Sequence, residues 1–597
     1  MKLALSFKDG QLDFLWIVLL APVLIAGCYR ADFIGFDDRA HYEHELMQEN
    51  VPLSSVFKAS ENSTYFPITI LSYRADRWIF KHVLLPFQPP GAKWSAAPVV
   101  RLDSLLLHIL AGIFLWRALL TLGLGRWTSL FVAAGWAAHP AACESVAWIS
   151  ERKNVLAAFF GFASLWAWFA PNLKTAARVS LTCFLFCAAI LSKPTAAGFV
   201  PVYFLFELLL ARKDTAIRTR WAASAAMLAG MLALIVLLAK INYAKTTHSY
   251  VAPAGGSHFT AALTDIPILN QYIFNSMLPV ALSIFYYNRI VTTPLDGFFL
   301  LHFLLLAALF FGSLKLSANR PRTLFLWGWF IGALGPALNI IPLPYLMQDR
   351  YAYMALPAIL ALFAEGVERL YEFGVKLPTP GVPRMAAVGG ALLLAGGAFF
   401  RSAVYSNDFE LFKDAVEKQP QSAYARQFFA LTLAETADRL ELAGEGDAAT
   451  LKTLRQEALK QMEACVQCPD SERLLEPGRA RVVLGVLRER LGDSAAALPV
   501  LIAELKQPQK PYVQVIAYLS LARITQQAGN AELALKYVEL AIASSSAHEA
   551  TPEMLYQKGL CLEQLGRGAE AKEIYRTIPE NTFTHQRAVG RLKMLGN

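Results

Sequence analysis

The sequence predicts an all-α protein in two parts, a many-span transmembrane helical domain followed by a C-terminal α-solenoid. Three observations carry this. The chain has 597 residues, 55% of them hydrophobic and only 17% charged, with a mean hydropathy of +0.38; a soluble domain carries about 25% charged residues. Apolar runs near 17–20 residues recur as far as about residue 403 and then stop. Beyond 403 a polar, helix-forming pattern repeats. This composition excludes a purely soluble enzyme, a disordered regulator and a disulfide scaffold, and the length exceeds that of one compact domain. The formal charge of +9 reads as basic loops at a membrane surface, and no nucleic-acid motif accompanies it.

Spans are expected near 12–28, 98–120, 127–142, 154–170, 176–192, 196–211, 222–241, 296–314, 323–341, 351–368 and 385–403, about eleven in all, with 267–290 as a re-entrant or interfacial element. Lys and Arg fix the orientation. Arg117 and Arg126, Lys174 and Arg178, Arg212 to Arg220, Lys315 to Arg322, and Arg369 to Arg384 occupy alternate loops, which places the N-terminus in the cytoplasm. Loops 29–97, 143–153, 193–195, 242–295 and 342–350 then face the extracytoplasmic side, as does everything after 403. Ile25-Ala26-Gly27-Cys28 matches a lipobox, but ten further spans make a lipid anchor redundant, so an uncleaved first span is expected.

The stretches 481–505, 515–542 and 554–578 align on Gly492, Gly529 and Gly566, each 37 residues from the next. That period is close to the tetratricopeptide repeat, with Ala497, Ala534 and Ala571 where two helices must approach. Residues 408–465 read as one or two degenerate pairs. Domains are therefore expected at 1–403 and 404–597. Such arrays offer a concave face to a peptide or helix. Cys465 and Cys468 (CVQC) have no thioredoxin-like strand pattern around them, and Pro469 stands where haem attachment needs His; a local disulfide closing a helix end is expected.

Ionisable residues cluster beside apolar segments, where charge is costly unless it is used or solvated. Asp37 and Asp38 follow the first span. Adjacent carboxylates suit general-base work or a shared divalent metal, against the plain alternative of a solvated acid pair. His41 and His44 lack the HExxH spacing. Asn62-Ser63-Thr64 is a formal glycosylation sequon. A second cluster holds His139, Glu144, Glu151, Arg152 and Lys153, and Lys193 opens the loop after the fifth span. A third holds Asp349, Arg350 and Tyr351. Arg as a fork and Lys as a point charge suit a phosphate, or each caps a span and snorkels.

These clusters resemble a known family. HPAACESVAWISERKNVLAAFF is similar to the HPxxxESVAWxxERKDVL signature of TMTC-type membrane proteins with C-terminal tetratricopeptide repeats, and LNIIPLPYLMQDRYAYMALPAI resembles their DRYxYLP segment. FDDRAHYEHELMQEN, TYFPITILSYRADRWIF and NDFELFKDAVEKQP resemble further segments, in family order over nearly the whole chain. Asn154 departs from the usual Asp, and Tyr405 stands for the usual Trp before the repeats.

The resemblance implies a bacterial member of the GT-C glycosyltransferases, taking sugar from a polyprenyl-phosphate donor and passing it, with inversion, to Ser or Thr hydroxyls of extracytoplasmic proteins held by the repeats, a pilin or another secreted protein. It implies Asp37 and Asp38 as the catalytic pair. Arg152, Lys153 and Arg350 are implied as donor-phosphate ligands, with Lys193 added from its location. His139, Glu144, Glu151, Asp349 and Tyr351 are then supporting residues. No metal is required, though Asp37 and Asp38 would be its ligands. The expected location is the bacterial inner membrane with the repeats in the periplasm. The alternatives are a non-catalytic membrane scaffold for envelope or pilus assembly, or the same enzyme acting on a lipid or glycan; a transporter lacks support in paired broken helices.

Overall fold

The computed structural model describes residues 12–58, 65–210, 217–245, 251–339, 341–372, 382–545, 550–580 and 582–596. The Asn62 sequon and the basic residues Arg212, Lys213 and Lys376 lie outside them. Among the described residues every regular element is a helix. The chain divides into two compact units, Met1–Lys418 and Gln419–Asn597.

The first unit opens with α1 (Phe14–Leu20), α2 (Val23–Ala26), the short α3 (Asp38–Tyr42) and α4 (Pro67–Ile79). A bundle follows: α5 (Ala97–Thr121), α6 (Arg126–Ala137), α7 (Cys143–Val146), α8 (Arg152–Phe169), α9 (Thr175–Ser192), α10 (Phe199–Leu209) and α11 (Ile217–Lys245). It continues with α12 (His258–Met277), α13 (Gly297–Leu316), α14 (Arg320–Leu334), α15 (Leu356–Glu372), α16 (Val382–Ala403) and α17 (Asp408–Lys418).

Local chemistry sets these starts. Proline occupies the first turn of α4, α5 and α14, where its missing N–H costs nothing. Asp296 caps α13, and Ser257 with Thr260 closes a capping box on α12. α5 packs on α8, α8 on α9, α10 on α14, and α6 lies against α5, α15 and α16. Buried Trp136 and Trp329 donate to the Tyr353 and Met354 carbonyls at 2.8 and 3.1 Å, which fixes the segment just before α15. At Gly27 an added Cβ would lie 2.5 Å from the Ala403 nitrogen, so α2 and α16 meet only through glycine.

Five described helices are long and apolar enough to cross a membrane: Ala97–Thr121, Thr175–Ser192, Ser224–Ile241, Gly297–Leu316 and Val388–Ser406. This supports an integral membrane protein and corrects the expected eleven. The other six expected spans are helices that stop early or start charged. α6 has 12 residues, about 18 Å against a hydrocarbon core of about 30 Å. α10, α14 and α15 have 11, 15 and 17 residues, α8 begins on Arg152 and Lys153, and the first expected span breaks after α1 at Ala21-Pro22.

The second unit is made of helices joined in pairs: α18 (Ala423–Ala443) with α19 (Ala448–Val466), α20 (Pro477–Arg490) with α21 (Ser494–Leu505), α22 (Pro511–Gln527) with α23 (Ala531–Ser544), and α24 (Pro552–Gln564) with α25 (Gly568–Arg576), closed by α26 (Phe583–Met594). Gly492, Gly529 and Gly566 turn the last three pairs at φ of 88°, 85° and 75°, a region open to glycine at no steric cost. Ala497, Ala534 and Ala571 are fully buried where those helices touch. Cys465 and Cys468 are both free. Each thiol donates to a different helix carbonyl, Ala423 and Ala464, so the expected disulfide is not formed.

Candidate active site

The segment from Phe33 to Tyr42 gives adjacent aspartates opposite surroundings. Asp38 is fully buried; its Oδ2 accepts from the Ile34 amide at 3.0 Å and its Oδ1 from the Ser150 amide at 2.7 Å. Burial pushes its carboxyl up to about 7, although both amides and nearby Arg101 favour the charge. Asp37 is exposed, and its carboxylate has no hydrogen-bond partner among the described residues. Its φ of 65° is the one positive value among the described non-glycine residues. Such a backbone persists only where its surroundings impose it. Here the imposing contacts are the Asp38 bonds on one side and Asp408 on the other, whose carboxylate accepts the Gly35 and Phe36 amides at 2.9 and 3.3 Å.

Lys153, Lys193 and Arg350 converge on one buried carboxylate. Glu151 Oε1 meets Lys153 Nζ at 3.1 Å and Arg350 Nε at 3.4 Å, and its Oε2 meets Lys193 Nζ at 3.0 Å. Asn154 donates to the same oxygen at 2.8 Å. Arg350 forms a second pair with buried Glu144 at 2.7 Å, and its backbone amide donates to the other Glu144 oxygen. Its guanidinium lies over the rings of Trp148 and Tyr351 at 5.0 and 5.6 Å. Burial opposes ionisation of Glu151, yet the three cations hold it well below the usual carboxylate range. Burial pushes Lys193 down to about 8, with Glu151 resisting. Three cations against two carboxylates leave a net positive charge at the end of α8.

Trp148 joins this cluster to the aspartate loop. Its ring stacks on Phe36 at 5.4 Å, its Nε1 donates to the Phe36 carbonyl at 3.3 Å, and Arg350 covers it. His41, whose ring bonds the Asp37 carbonyl at 2.9 Å, feels the charges of Lys153, Asp37 and Glu151.

The other expected residues stand apart. Arg152 has no exposed side-chain surface and turns into α4 and α5, pairing with Asp76 at 2.8 Å and Asp103 at 2.7 Å, donating to Ser104 Oγ at 2.9 Å and lying over the Tyr73 ring. It pins helices together and presents nothing to a ligand. His139 is buried, accepting from the Ala141 amide and bonding the Ser276 carbonyl at 3.2 Å. Asp349 accepts from Tyr286 OH at 2.6 Å, its second oxygen has no hydrogen-bond partner among the described residues, and burial pushes it up to about 8.

The donor set does not fit a metal shared by the aspartates. Asp38 spends both oxygens on amides, Asp37 is exposed, and among the described residues no three His, Cys, Asp or Glu side chains converge. Sequence reasoning missed Asp408, Asp76, Asp103 and the bridging role of Trp148. Asp408 lay within a recognised segment, but its two backbone partners are more than 370 residues away in sequence.

No family model and no curated protein matches the chain. Among solved structures it is similar to two crystal structures of an Archaeoglobus fulgidus oligosaccharyltransferase, one in the apo form and one tethered by a disulfide to an acceptor peptide containing the NVT sequon. Both give a TM-score of 0.38, with 13% identity to the apo form and 14% to the tethered one. The matches cover 71% and 70% of this chain but only 58% and 57% of theirs, so the chain spans less than two thirds of their length.

Proposed function

We propose that the protein is a membrane glycosyltransferase of GT-C type, which moves a sugar from a polyprenyl-phosphate donor to Ser or Thr hydroxyls of extracytoplasmic proteins, with residues 404–597 as tetratricopeptide repeats that hold the acceptor. The observation that carries this reading is the pairing of an unengaged, exposed aspartate on an imposed backbone with a three-cation cluster, the two joined through Trp148.

Asp37 is the base: its free carboxylate takes the proton of the acceptor hydroxyl. Asp38 holds the loop. Lys153, Lys193 and Arg350 receive the donor phosphate and stabilise the charge that grows on the departing prenyl phosphate. Displacement of the phosphate by the acceptor oxygen inverts the anomeric carbon. Arg152 takes no part in binding and supports α8 from below. On this reading the aspartate loop and the cation cluster face the extracytoplasmic side of a bacterial inner membrane.

Intact-mass spectrometry of envelope and secreted proteins tests this, comparing wild type with Asp37→Asn at matched expression. A sugar-sized mass lost from a protein in the variant is expected. Unchanged protein masses with a changed lipid or glycan would move the acceptor, and no change in any of them would favour the scaffold.

A further inference from the structure

His41 stands between the aspartate loop and the cation cluster. α3 begins at Asp38, whose Oδ1 accepts from the Ser150 amide at 2.7 Å, and the helix packs on the turn Ile149–Glu151 that leads into Lys153. His41 lies three residues after Asp38, which puts the two side chains on one side of a helix. Its ring is half-buried and stacks on Phe66 at 5.7 Å and 23°. The charges of Lys153, Asp37 and Glu151 all reach it.

The hydrogen bonding of the ring fixes its proton. Nδ1 lies 2.9 Å from the Asp37 carbonyl, which also accepts the His41 backbone amide at 3.0 Å. A carbonyl oxygen can only accept, so the hydrogen sits on Nδ1. Burial, and after it Lys153, holds the imidazole below its usual value, so near neutral pH the ring keeps that one proton and Nε2 carries a lone pair. Nε2 has no hydrogen-bond partner among the described residues.

An open acceptor at this place is selective about what it can meet. A phosphodiester has only acceptor oxygens and offers it nothing. The groups with an O–H to donate are the acceptor side chain, whose proton goes to Asp37 on the reading above, and the sugar. In a direct displacement the anomeric carbon holds the phosphate oxygen on one face and is attacked on the other. The sugar therefore spans from the cations to the base, and His41 lies along that span.

We propose that His41 reads the transferred sugar, its Nε2 accepting a hydrogen bond from one of the sugar hydroxyls. This rests on taking the cations as the donor-phosphate site and Asp37 as the base. The contact supplies specificity, because a site that hydrogen-bonds a hydroxyl discriminates strongly against a ligand without one.

The test is binding to the full-length protein in nanodiscs, with no acceptor present. The probes are undecaprenyl-phosphate glucose, undecaprenyl-phosphate mannose and undecaprenyl methyl phosphate, a diester of the same charge with no hydroxyl. Wild type is expected to bind at least one hexose carrier more tightly than the methyl ester. His41→Asn keeps an N–H at the height of Nδ1 and removes Nε2; it is expected to cut that preference about fivefold or more, about what one hydrogen bond contributes. His41→Gln sets an amide oxygen at the height of Nε2 and is expected to retain it. If Asn keeps the preference or Gln loses it, the ring only props the Asp37 backbone and the proposal is overturned. Equal binding of all three probes by the wild type overturns it as well. Lys193→Gln should weaken all three alike. If it leaves the methyl ester bound as before, the phosphate reading falls, and the two His41 variants still decide the sugar contact.

Discussion

On the proposed reading Asp37 and Asp38 are neighbours with opposite duties, and single substitutions should separate them. Asp38→Ala leaves the Ile34 and Ser150 amides without acceptors inside the protein, where Asp38 has no exposed surface. Each buried, unsatisfied N–H costs about 1–3 kcal/mol, so the pair costs about 2–6 kcal/mol. Relief of burying a carboxyl offsets part of this, which puts the net in the lower half, about 2–4 kcal/mol. Asp37→Asn does neither. Asn tolerates the left-handed φ of 65° as Asp does, and no described group loses a partner. Its expected effect is loss of the base, about 10²- to 10⁴-fold in turnover. Thermal unfolding of the purified proteins, alongside incorporation of labelled sugar from a prenyl-phosphate donor into envelope proteins, reads both quantities. Full turnover in Asp37→Asn would rule out Asp37 as the base, and a wild-type melting temperature in Asp38→Ala would rule out Asp38 as the support of the loop.

Four further predictions concern pH and packing. Asp38 binds its proton more readily folded than unfolded, its carboxyl standing at about 7; its contribution to stability therefore falls as pH rises from about 4 to 7, and Asp38→Asn should flatten that slope in pH-dependent melting. Lys193, at about 8, loses its charge in mildly alkaline solution, so donor affinity should drop there, and Lys193→Arg should abolish the drop in a binding titration. Arg152→Met strands Asp76 and Asp103 and should cost about 3–5 kcal/mol in a denaturation assay, with the affinity of whatever protein remains folded little changed. An added Cβ at Gly35 would stand 2.9 Å from Asp408 Oδ2, so Gly35→Ala should lower turnover more than donor affinity, a split that steady-state kinetics resolves.

How much was legible in the sequence depended on whether a residue's role is set by neighbours along the chain. The helical class, the pivots Gly492, Gly529 and Gly566 and the membrane character came from periodicity and composition, which are local signals. The cation cluster was named from three separate segments because each carries charge beside an apolar run. Arg152 and Lys153 are indistinguishable on that criterion, yet one helical step of 100° sends Arg152 into α4 and α5 and Lys153 to Glu151. Span count failed for a related reason. Hydropathy sums over a run, whereas α6 ends after 12 residues at a turn holding buried His139, and α10 ends after 11. Asp408 was invisible as a site residue because its partners are backbone amides, which carry no side-chain signature.

Glu151 explains why the cluster suits a ligand better than a permanent ion pair. Three cations gathered on one carboxylate repel one another, and burial makes Lys193 and Arg350 costlier to keep charged. A single carboxylate shared three ways relieves this without satisfying any cation completely: among the described residues Lys153 and Lys193 each pair with Glu151 alone, while Arg350 leans on Glu144 as well. On the proposed reading an arriving phosphodiester brings one negative charge to a cluster with one positive charge in excess. It can draw the two lysines from Glu151 while making the cluster neutral as a whole, whereas Arg350, fixed by Glu144, Trp148 and its own backbone amide, stays in place as the directional fork. On the proposed reading this divides the labour by stiffness. Arg350 orients the donor, the lysines follow the charge onto the leaving oxygen, and Glu151 recovers them when prenyl phosphate departs.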